Sequence, residues 1–155
     1  MDDNLYSPPQ SEVRDIALPP GSPVKAVLVA AAIYVVGAML VGIVISIVYA
    51  SMLASSGMSG EQIADALKNI DPHSTVSMAG IGIGALITLV CGYVCARIAR
   101  RRDYSLAYIL MGLDIVATLY FSWGDFSAFE HVLLAALSVV TIMAGTKLGM
   151  PKAPA

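Results

Sequence analysis

The sequence predicts an all-α membrane protein: an up-down bundle of four transmembrane helices, N-in/C-in, with a short amphipathic helix in the first outer loop. Three observations predict it. Four apolar runs, at about 24–54, 75–99, 105–122 and 128–146, each approach the roughly 20 helical residues that cross a hydrocarbon core. Only 13% of the 155 residues are charged and 57% are hydrophobic, whereas a soluble domain carries about 25% charged residues. Nearly all the positive charge falls on one side of the runs. Helices are the expected form, because lipid satisfies no unpaired peptide group. A closed barrel would show alternating segments of about ten residues, and the first run does not alternate.

Taken in order, residues 1–23 read as a disordered, Pro-rich cytoplasmic tail. Pro8, Pro9, Pro19, Pro20 and Pro23 block helix and favour extended chain. The run that follows is longer than a signal-peptide core, so it is expected to stay in place as the first span. In the first outer loop, Ser59 and Gln62 have capping-box spacing. Ile63, Ala66, Leu67 and Ile70 then recur on one helical face, and Pro72 ends the pattern. Residues 60–70 are therefore either a short amphipathic helix on the outer interface or a stub that caps the first span. The links at 100–104 and 124–127 are short, which makes sequential spans antiparallel neighbours. Residues 24–150 thus form one four-helix transmembrane domain, with 151–155 a cytoplasmic tail.

Orientation follows from the basic residues. With the N-terminus inside, Arg14, Lys25, Arg97, Arg100, Arg101, Arg102, Lys147 and Lys152 face the cytoplasm and only Lys68 lies outside. The cluster of Arg97, Arg100, Arg101 and Arg102 reads as a headgroup anchor among anionic lipids. It is squeezed against the bilayer, which excludes a nucleic-acid partner. Tyr49, Tyr120, Phe121 and Trp123 fall near the outer interface, and Tyr93, Tyr104 and Tyr108 near the inner one, as suits amphipathic rings.

Small residues recur every four positions, as Ala38, Gly42, Ser46 and Ala50 in the first span and Gly80, Gly84, Thr88, Gly92 and Ala96 in the second. Such stripes let backbones approach closely in lipid, so these two spans are expected to pack on each other, with a homodimer seam as the alternative. On that reading Gly84→Leu and Gly92→Leu both lower the bundle's stability.

Asp114 is the sharpest candidate for chemistry. It lies near the middle of the third span, where an acid costs about 2.5–3.5 kcal/mol on insertion scales and tends to face the bundle. Thr118 continues its face, and Thr88, Ser138 and Thr141 lie at comparable depth on neighbouring spans as hydroxyl partners. The two readings of Asp114 are an intramembrane proton carrier and a structural group, either an interhelical fastening or a contact to a partner's membrane helix. His73 and His131 lie outside but lack tight ligand spacing, so no metal is expected. Cys91 and Cys95 sit one helical turn apart and read as small packing residues. No phosphate loop or nucleophile set emerges, and neither catalytic residues nor a cofactor is expected.

Two stretches carry a resemblance. Residues 4–13, Asn-Leu-Tyr-Ser-Pro-Pro-Gln-Ser-Glu-Val, resemble the Asn-Pro-Tyr-x-Pro-Pro leaders of small proteobacterial inner-membrane proteins, with Leu5 in place of a proline. Residues 91–100, Cys-Gly-Tyr-Val-Cys-Ala-Arg-Ile-Ala-Arg, resemble the Gly-Gly-Tyr-x-Ala-x-Arg-x-Ala helix end of uncharacterised bacterial multi-span proteins, with Cys91 and Cys95 replacing small residues. The resemblance covers about 20 residues and implies a small four-span inner-membrane protein without assigning a reaction. The resulting expectation is a non-enzymatic assembly, accessory or regulatory subunit whose partners are lipid and either a second copy or a larger membrane protein. The alternative is a small proton-coupled transporter or channel component using Asp114.

Overall fold

Polar residues at the ends of the apolar runs decide where each helix begins. The computed structural model describes residues 21–100, 104–122, 124 and 126–151. The Pro-rich tail up to residue 20, Arg101, Arg102 and residues 152–155 lie outside them. α1 (Pro23–Ser55) starts at Ser22, whose hydroxyl accepts the Lys25 N–H at 3.3 Å, with Pro23 in the first turn where its missing N–H is harmless. α2 (Gly60–Lys68) carries both arms of a capping box between Ser59 and Gln62. It stops at Asn69, slightly before the position Pro72 alone would dictate. α3 (Thr75–Ala99) is capped by Ser74, which accepts the Ser77 N–H at 3.2 Å, and it terminates at Arg100 in a left-handed turn (φ 51°). α4 (Ser105–Phe121) has no side-chain cap. α5 (Ala128–Gly149) has a second capping box, Ser127 with Glu130, and runs past the expected end at 146.

The described residues form five helices and no strand. α1, α3 and α5 are long and apolar enough to cross a membrane. α4 has 17 residues, or about 25 Å at 1.5 Å per residue, somewhat short of the roughly 30 Å hydrocarbon core. Large apolar side chains are exposed along the helices, which suits lipid and far exceeds the patch a soluble monomer shows.

Two hydrogen bonds fix the packing of α1 on α3. The Gly21 N–H donates to the Ala99 carbonyl at 2.9 Å, and the Cys91 thiol donates to the Ala30 carbonyl at 3.3 Å. Gly37 faces Ile87 and Gly80 faces Ile45 further along, so α1 and α3 are antiparallel. The most extensive seam, however, is between α3 and α5, which run parallel: Thr88 meets Thr141, Gly92 meets Ile142, and Gly149 meets Tyr93. α4 leans mainly on α5 and touches α1 and α3 lightly.

The α3/α5 seam is closed by backbone approach. A Cβ added at Gly145 or Gly149 would collide with the Leu89 or the Tyr93 carbonyl oxygen respectively, and one at Gly92 would lie 2.5 Å from the Ile142 carbonyl oxygen. Gly145 and Gly149 are four apart, the spacing that lets two membrane helices touch main chain to main chain. The sequence placed the small-residue seam between the first two spans. In the fold Gly92 serves α5, and Gly42 and Gly84 meet nothing within 4 Å. Consecutive spans need not share their closest contact, because a 25-residue helix has room for partners on several faces.

Burial is concentrated at one end. Ala26 and Ala30 of α1 are buried with Cys91, Cys95 and Ala99 of α3, Ala107, Leu110 and Met111 of α4, and Ile142 of α5. Lys25, Arg97, Arg100 and Lys147 ring that end, and Glu61, Asp65, Lys68, Asp71 and Glu130 lie at the other. Beyond Tyr34, α1 leaves the core: Val35, Val36, Met39, Leu40, Ile43, Val44, Ile47, Val48 and Met52 are each 53–64% exposed.

Candidate functional site

A layer of polar side chains lies where the packed half of the bundle gives way to the open half. Tyr34, Thr88, Asp114 and Thr141 come from four helices and sit roughly 12–17 Å from their ends at the basic side, at 1.5 Å per residue. Asp114 is buried to 7% exposure within this layer, and its Oδ2 is fully enclosed without a hydrogen-bond partner. Tyr34 of α1 and Cys91 of α3 are the titratable side chains within electrostatic reach of its carboxyl. The Cys91 thiol gives its proton to the Ala30 carbonyl, so it is held as a neutral donor. Cys95 lies one turn beyond, buried and free. No described basic side chain pairs with Asp114.

The hydroxyls expected around Asp114 are engaged elsewhere. The Thr88 and Thr141 oxygens are 2.8 Å apart across the α3/α5 seam. One donates to the other, and the second donates back into its own helix, to Ala85 from Thr88 (2.9 Å) or to Leu137 from Thr141 (2.9 Å). Ser138 is half-buried and Thr118 accepts the Ser122 hydroxyl on its carbonyl at 2.6 Å. Among the packing candidates, Ala38, Gly42 and Ser46 are exposed, and Gly80 makes an ordinary contact with Ile45. Arg97 lies over the Tyr93 ring at 6.0 Å, a cation–π contact near the basic end, where Arg100 caps α3.

Tyr34 is the neighbour of Asp114 that spacing arguments missed. Its signal was present: it is the one polar side chain between Lys25 and Ser46. Gly145 and Gly149 were equally readable as a Gly-xxx-Gly pair.

At the acidic end, His73 Nδ1 lies 3.6 Å from Glu130 Oε1, and Phe126 sits edge-on between the His73 and His131 rings at 6.3 and 6.2 Å. His131 Nε2 lies 3.0 Å from the Ser122 hydroxyl oxygen, whose own proton goes to the Thr118 carbonyl, and Nδ1 lies 3.0 Å from the Ser127 carbonyl. An apolar cleft of about 480 Å³ opens beside His131 between α4 and α5, lined by Ile115, Leu119, Val132 and Ala135 among others. Among the described residues no three His, Cys, Asp or Glu side chains converge as a metal centre. Comparison with protein-family models, curated proteins and solved structures finds no match.

Proposed function

We propose that this chain is a non-enzymatic, four-span integral protein of a bacterial inner membrane, with both termini cytoplasmic, that assembles through the open half of α1. The observation that carries this reading is the free stripe Ala38, Gly42 and Ser46. It has the close-packing spacing, yet it stands exposed on an apolar helix face with nothing within 4 Å of the Gly42 position. A second copy is the occupant we favour. A two-fold pairing needs only this one self-complementary patch, and the stretch from 26 to 60 carries no charge to repel its image.

α4 is the fourth span in this reading. Apart from Asp114 it is apolar, and a membrane adapts to a helix a few ångströms short at a cost of fractions of a kcal/mol per Å. The orientation rests on the basic ring at the end shared by Pro23, Ala99 and Gly149.

Native mass after gentle extraction tests assembly. A dimer that becomes monomeric in Gly42→Leu, with an unchanged melting profile, supports self-association. A stoichiometric second protein makes the chain an accessory subunit. A wild-type monomer with nothing bound overturns the assembly reading and favours proton-coupled transport, in which Asp114→Asn abolishes flux in liposomes. Reporter fusions at both ends test orientation, and an extracellular signal from either overturns it.

A further inference from the structure

The buried Asp114 carboxyl has the makings of a site independent of how copies associate. Three helices deliver its groups to one depth: Asp114 from α4, the Tyr34 hydroxyl from α1 and the Cys91 thiol from α3. Asp114 is more than nine-tenths buried, and its Oδ2 faces the interior with no partner. α5 keeps its titratable groups, Glu130, His131 and Lys147, at its two ends. Tyr34 and Cys91 are the titratable groups of the other helices within electrostatic reach of Asp114, and neither is a cation. A carboxylate enclosed without a counter-charge is strongly disfavoured, and a bound cation removes the charge.

The number of ligands decides which cation. A sodium ion needs several oxygens, but helical carbonyls here are spent on their own ladders, and Asp114 and Tyr34 supply few. A proton needs one oxygen. We propose that Asp114 is a reversible proton-binding site, with the Tyr34 hydroxyl as its hydrogen-bonding partner, and that its loading holds α4 against α1. Loading forms one O–H bond on the carboxylate from a proton delivered by solvent, and release breaks that bond and returns the proton. The lightly packed α4 is the element placed to respond, since it leans on α5 and meets α1 across this site.

Infrared difference spectroscopy of the protein in lipid, stepped between acidic and alkaline pH, tests the proposal. The expected result is a carboxylic-acid carbonyl band that comes and goes with pH, is lost in Asp114→Asn, and moves in frequency in Tyr34→Phe. A merely structural acid gives no band that titrates while the bundle stays folded, and that outcome overturns the proposal. So does a band untouched by Asp114→Asn. A change driven by sodium in place of choline at fixed pH assigns the site to a metal cation and overturns the proton assignment. Should Asp114→Asn fail to fold, Tyr34→Phe decides: a shifted band supports the pairing, and an unmoved one refutes it. A monomeric wild-type protein would defeat self-association without altering any of these spectra.

Discussion

Replacing Gly145 by alanine is the smallest change that tests how this bundle is held together. The added Cβ would overlap the Leu89 carbonyl oxygen and lie 2.9 Å from its carbon and 3.0 Å from the Tyr93 nitrogen. All three atoms are main chain in the middle of α3, so none can rotate away. The helices must part by on the order of 1 Å to restore ordinary contact. Overpacking by one methyl group costs about 1–3 kcal/mol, and rigid neighbours place this site at the upper end. For a chain of 155 residues each kcal/mol lowers Tm by roughly 2–4 °C, so a loss of about 3 kcal/mol lowers it by roughly 6–12 °C in detergent. Gly84→Ala is the matched control. It lies in the same helix system but meets nothing within 4 Å, and alanine's better helix propensity, worth up to about 1 kcal/mol, leaves it neutral or slightly stabilised. Circular dichroism melts of the two variants decide. Equal melting of wild type and Gly145→Ala would refute the backbone-contact account, and so would a larger loss in Gly84→Ala.

The Thr88–Thr141 hydroxyl pair should show a coupling of about 0.6 kcal/mol, with roughly 1.7 as a ceiling, in a double-mutant cycle with valine at each position. Ser59→Ala should loosen α2 by about 1 kcal/mol, seen as faster amide exchange over 60–68 with α3 and α5 unchanged. Glu130→Gln should retain the capping box at the start of α5, whereas Glu130→Ala should fray its first turn in the same exchange experiment. Cys91 and Cys95 should resist a membrane-permeant maleimide in the folded protein and react only after denaturation, since both are buried.

Much of this fold was legible because each element obeys local rules. Ser59 and Gln62 form the capping box their spacing implies, and the structure adds Ser22, Ser74 and Ser127 as caps one residue ahead of their helices. The long apolar runs gave α1 and α3 nearly to the residue, because hydropathy needs no partner to act. What was not legible is which helix meets which. Three helices carry small residues at spacing of four, and the pattern is the same whether the stripe is buried, as at Gly145 and Gly149, or open, as at Gly42. Only the three-dimensional path, which brings α3 and α5 side by side and parallel, separates these cases. The same holds for Asp114. Its place inside the bundle followed from the cost of a midplane acid, but its surroundings followed from the meeting of α1 and α4, which brings Tyr34 within electrostatic reach while the threonines pair with each other.

The two halves of the molecule suggest why the polar layer sits where it does. At the basic end small residues bring four helices together and exclude nearly all space, which leaves little freedom for movement. At the acidic end α1 keeps α3 as its neighbour through Ile45 and Gly80 but turns most of its large apolar side chains outward, and a cleft opens between α4 and α5. A group that changes charge has little effect deep in the rigid half, because close packing resists displacement, and little in the open half, because nothing there is held shut. Asp114 and Tyr34 lie at the boundary, on the helix pair with the least contact to defend it. Gain or loss of one proton there acts on a seam whose remaining attraction is small, so a perturbation of a few kcal/mol is comparable with what holds α4 to α1. If α4 answers to the proton, amide exchange at its Met111–Thr118 turns should change with pH in the wild type and become insensitive to it in Asp114→Asn. Exchange in the α3/α5 seam should stay constant in both, and a pH response there instead would place the movable element elsewhere.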